Sequence, residues 1–215
     1  HRSCWKVPHT YLARSDRVAS LCSFGCRELC RVRPLRQPKA LVWILEIEMT
    51  TIEDFDARQL RNVLGRFFTG VTVVTTVDET GKALGVTANS FTSVSLDPPL
   101  ILWNQAIASP SHPVFRSAER FAINILAEDQ VAVSQRFSRP APNRFGGLPV
   151  TRGLGSIPLI DGCCAVLECR KIATHAGGDH VVFIGQVERV SSNDRRPLIF
   201  GDGKYLKAHP FEMVA

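Results

Sequence analysis

Between Thr87 and Ser95 the chain places Thr87, Asn89, Ser90, Thr92, Ser93 and Ser95, six neutral hydrogen-bonding side chains in nine positions, with no charge among them. A half-buried strand ordinarily alternates apolar with polar residues, so this uncharged wall suits a flat ligand with polar edges. The same composition also serves a loop whose hydroxyls bond their own backbone, and the stretch alone leaves both readings open. A second group, His175, Gly177, Gly178, Asp179 and His180, could frame a metal, although two glycines make a mobile frame for one. Alternatively His180 opens a strand at a sheet rim and reaches a bound ligand, with the glycines permitting close backbone approach. No Gly-x-Gly-x-x-Gly follows a strand and no Walker pattern occurs, so a nucleotide must be held in some other way. No Gly-x-Ser-x-Gly elbow is present either, which leaves acyl transfer without support.

The elements that must carry these residues are legible as short strands. From Asp56, Leu60, Val63, Leu64, Phe67 and Phe68 follow helical spacing, with Asp54 or Asp56 as the cap. Val71–Val77 is a β-branched strand, and Asp78–Lys82 turns it into a second strand in which Ala83, Gly85 and Thr87 alternate with Leu84, Val86 and Ala88. That strand runs into the hydroxyl-rich segment, which Pro98 and Pro99 terminate. Leu100–Trp103 is a short apolar strand ending in Asn104-Gln105, followed by a loop from Ala106 to Ser111. A short helix from Pro113 to Ala118, a strand Phe121–Leu126 and a helix Glu128–Phe137 come next, and Pro140 and Pro142 stop the last. Ala165–Ile172 and His180–Val190 form two long strands joined by residues 173–179, with Leu198–Phe200 a final strand. About seven strands and three short helices, with strands mostly following one another, predict a mainly β chain: an antiparallel barrel with helices outside rather than a doubly wound sheet.

At 215 residues with 45% apolar and 21% charged content, the chain has the composition of one globular domain plus an appendage. The formal charge of +6 is unevenly spread: nine Lys/Arg face four Asp/Glu up to residue 48, leaving 17 against 16 for residues 49–215. A basic face is therefore missing from the second part, which argues against nucleic-acid binding. Residues 1–48 lack an amphipathic period, and Met49 reads as a natural start, so this segment is expected to be a non-domain extension of upstream translation, or else a presequence, before a domain spanning 49–215. Cys22, Cys26 and Cys30 would share a helical face but lack a fourth ligand. Cys163, Cys164 and Cys169 are expected to be reduced core thiols of a cytoplasmic protein, and no apolar run is long enough to span a bilayer.

Several segments in order resemble the flavin reductase-like family, the small reductases of two-component flavin monooxygenases such as those acting on 4-hydroxyphenylacetate or nitrilotriacetate. They are Gly65–Thr76, Thr87–Ser95 with Pro98-Pro99, Phe121–Leu126, Arg144-Phe145, and Gly177–His180 followed by Ile184-Gly185; the resemblance spans about residues 56–207. It implies a split β-barrel homodimer that binds FMN or FAD, oxidises NADH or NADPH and serves a separate monooxygenase. It also implies that Thr87, Ala88, Asn89, Ser90, Ser93 and Val94 line the isoalloxazine edge and ribityl chain. Ser109 and Ser111, with the amides that open the next helix, would hold the flavin phosphate, and Arg144 would add charge. Gly178, Asp179 and His180 would face the nicotinamide, with His180 positioning it rather than acting as acid or base. Two departures touch the pocket: Phe68 replaces a smaller residue, and Trp103-Asn104-Gln105 is a bulkier end to its strand. Trp103 reads as core ahead of flavin platform, and the other reading of Arg144 is a pair with a surface acid only. Two other readings stay open, namely a tightly bound FMN that reduces another acceptor such as a corrinoid or quinone, and a non-catalytic flavin- or haem-binding module.

Overall fold

The computed structural model describes residues 55–209. The expectations for Met49, for the preceding segment and for Cys22, Cys26 and Cys30 lie outside the described residues. Helix α1 (Ala57–Leu64) starts at Asp56, whose side chain accepts from the Arg58 and Gln59 amides while Gln59 reaches back to the Asp56 amide, a reciprocal cap that satisfies otherwise orphaned donors. It ends at Gly65, so Phe67 and Phe68 lie beyond the helix, one turn earlier than the periodicity predicts.

The strands are β1 (Thr69–Gly70), β2 (Thr72–Val77), β3 (Ala83–Ala88), β4 (Thr92–Leu96), β5 (Pro99–Ala106), β6 (Arg120–Ile125), β7 (Val150–Arg152), β8 (Pro158–Ile160), β9 (Ala165–Gly177), β10 (His180–Ser192), β11 (Leu198–Gly201) and β12 (Lys204–Lys207). Helix α2 (His112–Ser117) follows β5 and α3 (Val131–Ser138) follows β6. Seven strands form one antiparallel sheet in the order β3-β2-β6-β9-β10-β5-β4, with β1-β11-β12 and β7-β8 as smaller sheets. The expected hairpin of β2 and β3 pairs Thr72 with Ala88 through Val77 with Ala83. β9 and β10 are longer than their composition suggests, since pairing continues to His180 opposite Gly177 and only Gly178-Asp179 turn the chain. Gly178 has φ +67°, a conformation that a Cβ would strain. The short pairs β7-β8 and β12 escape sequence reading because three or four residues carry too little alternation to register.

The position of the hydroxyl-rich segment follows from chain length. β3 and β4 are opposite edges of the seven-stranded order, and six flat interstrand spacings would separate them by about 29 Å. Only residues 89–91 connect them, and the four Cα steps from Ala88 to Thr92 reach at most about 14 Å. The sheet must therefore curl until its edges approach. The curl lets side chains of β2, β5, β6, β9 and β10 meet in one core of Val74, Ile101, Trp103, Phe121, Ile123, Cys169 and Phe183, plugged by Phe115 of α2. Trp103 stacks on Phe183 with centroids 4.8 Å apart and meets Phe115 edge-on at 5.1 Å. Alternate residues of β2, β6 and β9, namely Val73, Ala122 and Val166, face a second core with Phe137 of α3 and Ile160 of β8. Asn124 is fully buried: its amide nitrogen donates to Val73 O and Thr75 Oγ1, and its oxygen accepts from the Ile160 amide.

Candidate functional site

Asn89 and Ser90 occupy the crossover between the two sheet edges, so the neutral polar run lies where the curled sheet is joined by side chains and chain rather than by a strand ladder. Ser90 Oγ accepts from the Asn104 amide at 3.1 Å and donates to the Asn104 carbonyl at 2.9 Å. It replaces a strand partner for β5 beyond the point where pairing with β4 begins, at Thr92 opposite Leu102. Thr87 Oγ1 donates to Ser134 O of α3 at 2.7 Å. Both hydroxyls therefore fix the wall, and Thr87 Oγ1 retains two lone pairs and Ser90 Oγ one that can accept a further bond. Asn89 is exposed at the crossover.

Thr87, Ala88, Asn89 and Ser90 line a cavity of about 260 Å³ together with Trp103, Asn104, Gln105, Ser109 and His180. Trp103 is fully buried, and its Nε1 finds no partner among the described residues, a donor that burial makes costly unless something else occupies it. The bulky strand end noted in the sequence thus serves both readings: the Trp103 ring belongs to the core, and the same residue borders the cavity.

His180 enters this cavity because the β9–β10 hairpin ends beside it. His180 pairs with Ala106 of β5, and the carbonyl of Asp179 accepts from the Ile107 amide at 2.9 Å, tying the hairpin tip to the loop that carries Ser109. The half-buried imidazole has Nδ1 2.7 Å from Asp179 Oδ1. That hydrogen bond holds the exposed Asp179 carboxyl below its usual range and leaves Nε2 as the free ring nitrogen. Gly178 is exposed at the turn.

Ser109 and Ser111 are brought together, with their Oγ atoms 3.1 Å apart. Buried Gln105 donates to Ser111 Oγ at 2.9 Å and to Ser109 Oγ at 3.4 Å, and its oxygen stands 3.3 Å from Nδ1 of buried His112. Sequence reading noted Gln105 only as part of a bulky strand end and missed His112. The available signal was β5 alternation, in which Gln105 follows Ile101 and Trp103 on the buried side. Lys171 fixes α2 from behind, donating to the carbonyls of Phe115 and Arg116, and burial lowers its pKa. Arg144 joins a neighbouring cavity of about 230 Å³ that also contains Ser111. It donates to Gly85 O at 2.7 Å rather than to a surface acid. Ser93 and Val94 lie on the exposed edge strand β4, apart from both cavities.

The arrangement offers neutral donors and acceptors along one wall, a serine pair at one end with an arginine near it, and an imidazole on the opposite hairpin. It suits a planar polar ring with a chain that ends in an anion, and a second ring brought in beside the imidazole. Among the described residues no helix is long and apolar enough to cross a membrane, and no cluster of three or more metal-ligating side chains occurs.

Residues 64–209 match the family model described as the flavin reductase like domain. The chain is 45% identical over 150 residues to the FMN reductase (NADH) SmoA of Agrobacterium fabrum, covering 70% of this chain and 85% of that protein. It is 46% identical over 148 residues to the reductase component of the flavin-dependent trigonelline monooxygenase of Acinetobacter baylyi, but there it spans only 48% of the relative while using 69% of its own length. Among solved structures, the NADH:FAD oxidoreductase SgcE6 of Streptomyces globisporus C-1027, in complex with NAD and FAD fragments, superposes with a TM-score of 0.69 at 36% identity, covering 73% of this chain and 95% of that one.

Proposed function

This chain belongs to the flavin reductase-like domain family, and we propose that it is an NADH:flavin oxidoreductase whose reduced flavin is consumed by a separate monooxygenase. The observation that carries the reading is the convergence of Thr87, Asn89, Ser90, Trp103, Ser109 and His180 on one cavity at the sheet crossover. These residues fit a flavin: uncharged side chains would border the ring, and the hydroxyls of Ser109 and Ser111 would hold the phosphate with Arg144 near them. The bound cofactors supply the chemistry, hydride transfer from the nicotinamide C4 to the flavin N5. The protein supplies geometry and exclusion of water. The Thr87 and Ser90 struts hold the wall rigid. Gly178 and Asp179 shape the hairpin tip, where Asp179 orients the His180 ring so that Nε2 can position the nicotinamide; no side chain is needed as acid or base.

The curled seven-stranded sheet is read as a split β-barrel, the fold of the domain assigned to residues 49–215, with residues 1–48 outside it. The working unit is read as a homodimer: Val63, Leu64 and Phe67 are 70, 63 and 79% exposed around the end of α1, and Leu96 of β4 is 93% exposed, apolar side chains of the kind that a partner surface covers. The buried free thiols of Cys163, Cys164 and Cys169 accord with a cytoplasmic protein. Either FMN or FAD would satisfy the site, because the residues assigned to it reach no further than the flavin's first phosphate. The reading is tested by following NADH and NADPH oxidation by the full chain with and without added FMN, FAD or riboflavin. Saturable oxidation that requires flavin and prefers NADH is expected, and a rate indifferent to flavin would refute it.

A further inference from the structure

β5 directs Ile101, Trp103 and Gln105 to its buried side, and the third of these is a primary amide only 4% exposed. Such a group is costly to bury unless its hydrogen-bonding positions are filled. Its partners are few: Ser111 Oγ at 2.9 Å, Ser109 Oγ at 3.4 Å and, through Oε1, His112 Nδ1 at 3.3 Å. His112 is itself 6% exposed and packs its ring edge against Phe183 at 6.2 Å. Neither residue is needed to close a sheet ladder or cap α2, whose last carbonyls Lys171 serves.

We propose that Gln105 and His112 are positioning residues that turn a hydroxyl proton of the pair Ser109 and Ser111 toward the phosphate of a flavin, and so set the preference for phosphorylated flavin over riboflavin. The inference rests on the reading that this serine pair meets the flavin phosphate. A hydroxyl has one proton to give and two lone pairs to fill. With the amide nitrogen donating into both serine oxygens, neither serine spends its proton on Gln105: one hydroxyl donates to the other across 3.1 Å, and the second is left to give its proton outward to an anion. The reversed amide would present Oε1 to the serines, capture a hydroxyl proton and place negative charge toward the phosphate. We assign His112 the Nδ1–H tautomer, which donates to Oε1 across the 3.3 Å contact and so selects the first orientation. The imidazole thus acts two bonds away from the ligand through the amide it orients.

The test is titration of FMN and of riboflavin into the full chain, read by quenching of flavin fluorescence, which needs no turnover. The unmodified chain is expected to bind FMN more tightly than riboflavin. Gln105→Glu, which accepts from the serines and repels phosphate, should lower that preference about tenfold or more while riboflavin affinity stays within about twofold. His112→Leu should lower it about threefold or more, and His112→Asn, whose Nδ2 can stand where Nδ1 stands, should restore it. If Gln105→Glu fails to fold, Gln105→Leu and the His112 pair carry the test. An unchanged preference in the Gln105 and His112→Leu variants overturns the relay alone. Equal losses for FMN and riboflavin make the two residues merely structural and overturn it as well. An unmodified chain that binds neither flavin, or both equally, overturns the phosphate reading beneath it.

Discussion

Removing the Ser90 hydroxyl separates a structural serine from a merely exposed one in the same run. In Ser90→Ala the Asn104 amide and carbonyl lose partners at 3.1 and 2.9 Å, and no strand can replace them because β4 pairing starts at Thr92 opposite Leu102. Two backbone groups orphaned in a fully dry site would cost about 1–3 kcal/mol each. Ser90 is half-buried, so water recovers part of this and about 1–2 kcal/mol remains. For a chain of this size that corresponds to a fall in Tm of about 3–6 °C. Ser93 is exposed on β4, and Ser93→Ala should stay within about 0.5 kcal/mol of the parent. Because Ser90 anchors Asn89 against β5, flavin affinity should fall with stability in Ser90→Ala, about three- to tenfold. Thermal unfolding by circular dichroism with a parallel flavin titration reads both. A Ser90→Ala protein that melts with the parent, or a Ser93→Ala protein that loses as much, would show that the crossover is not held by this hydroxyl.

Three further outcomes follow from other contacts. His180→Ala should raise KM for NADH about tenfold with little change in kcat, because a positioning contact is lost and no proton-transfer group is; steady-state kinetics with a fixed flavin concentration decides, and a pure kcat loss would contradict the assignment. Gly85→Ala places a Cβ 2.7 Å from Phe137 Cε1, an overpacking expected to cost about 1–3 kcal/mol in denaturant unfolding. Burial pushes the thiols of Cys163 and Cys169 up to about 12 from a usual value of 9.0, so the folded state keeps protons that the unfolded state releases. Stability should therefore be unaffected below about pH 8 and fall between about pH 9 and 12, by up to ~1.4 kcal/mol per pH unit for each thiol; Cys163→Ala and Cys169→Ala chains should show a shallower decline in urea melts followed across that range.

Much of the frame was legible because its signals are local. The Asp56 cap, the β-branched run of β2 and the turn at Asp78–Lys82 each declare an element within a few residues, and the structure forms all three. The polar run at Thr87–Ser95 announced a site but not how its members divide. Ser90 and Thr87 bond distant backbone at Asn104 and Ser134, whereas Ser93 faces outward, and that division depends on which edge strand the chain reaches after residue 91. Composition does not carry that information; the sheet order does. The pairing of Gln105 with His112 was hidden for a related reason. Seven residues apart, on a strand and a following helix, they show no sequence motif and become a pair only when the loop of Ala106–Ser111 folds back over β5. Trp103 could be placed in the core from its flanking Leu100–Leu102 run, but its unpartnered Nε1 is visible only when the surrounding rings are in place.

The most direct test of the account is a single anaerobic mixing experiment, in which the full chain with one equivalent of FMN or FAD is mixed with NADH while the nicotinamide absorbance and the flavin's visible band are recorded together. Hydride transfer within the proposed site predicts that both bands are lost in step, one nicotinamide per flavin, at a rate that saturates with NADH and is slowed in His180→Ala at subsaturating NADH. A flavin that binds the protein yet stays oxidised in the presence of NADH and NADPH would contradict the reductase assignment and leave the cavity as a flavin-binding site without this activity.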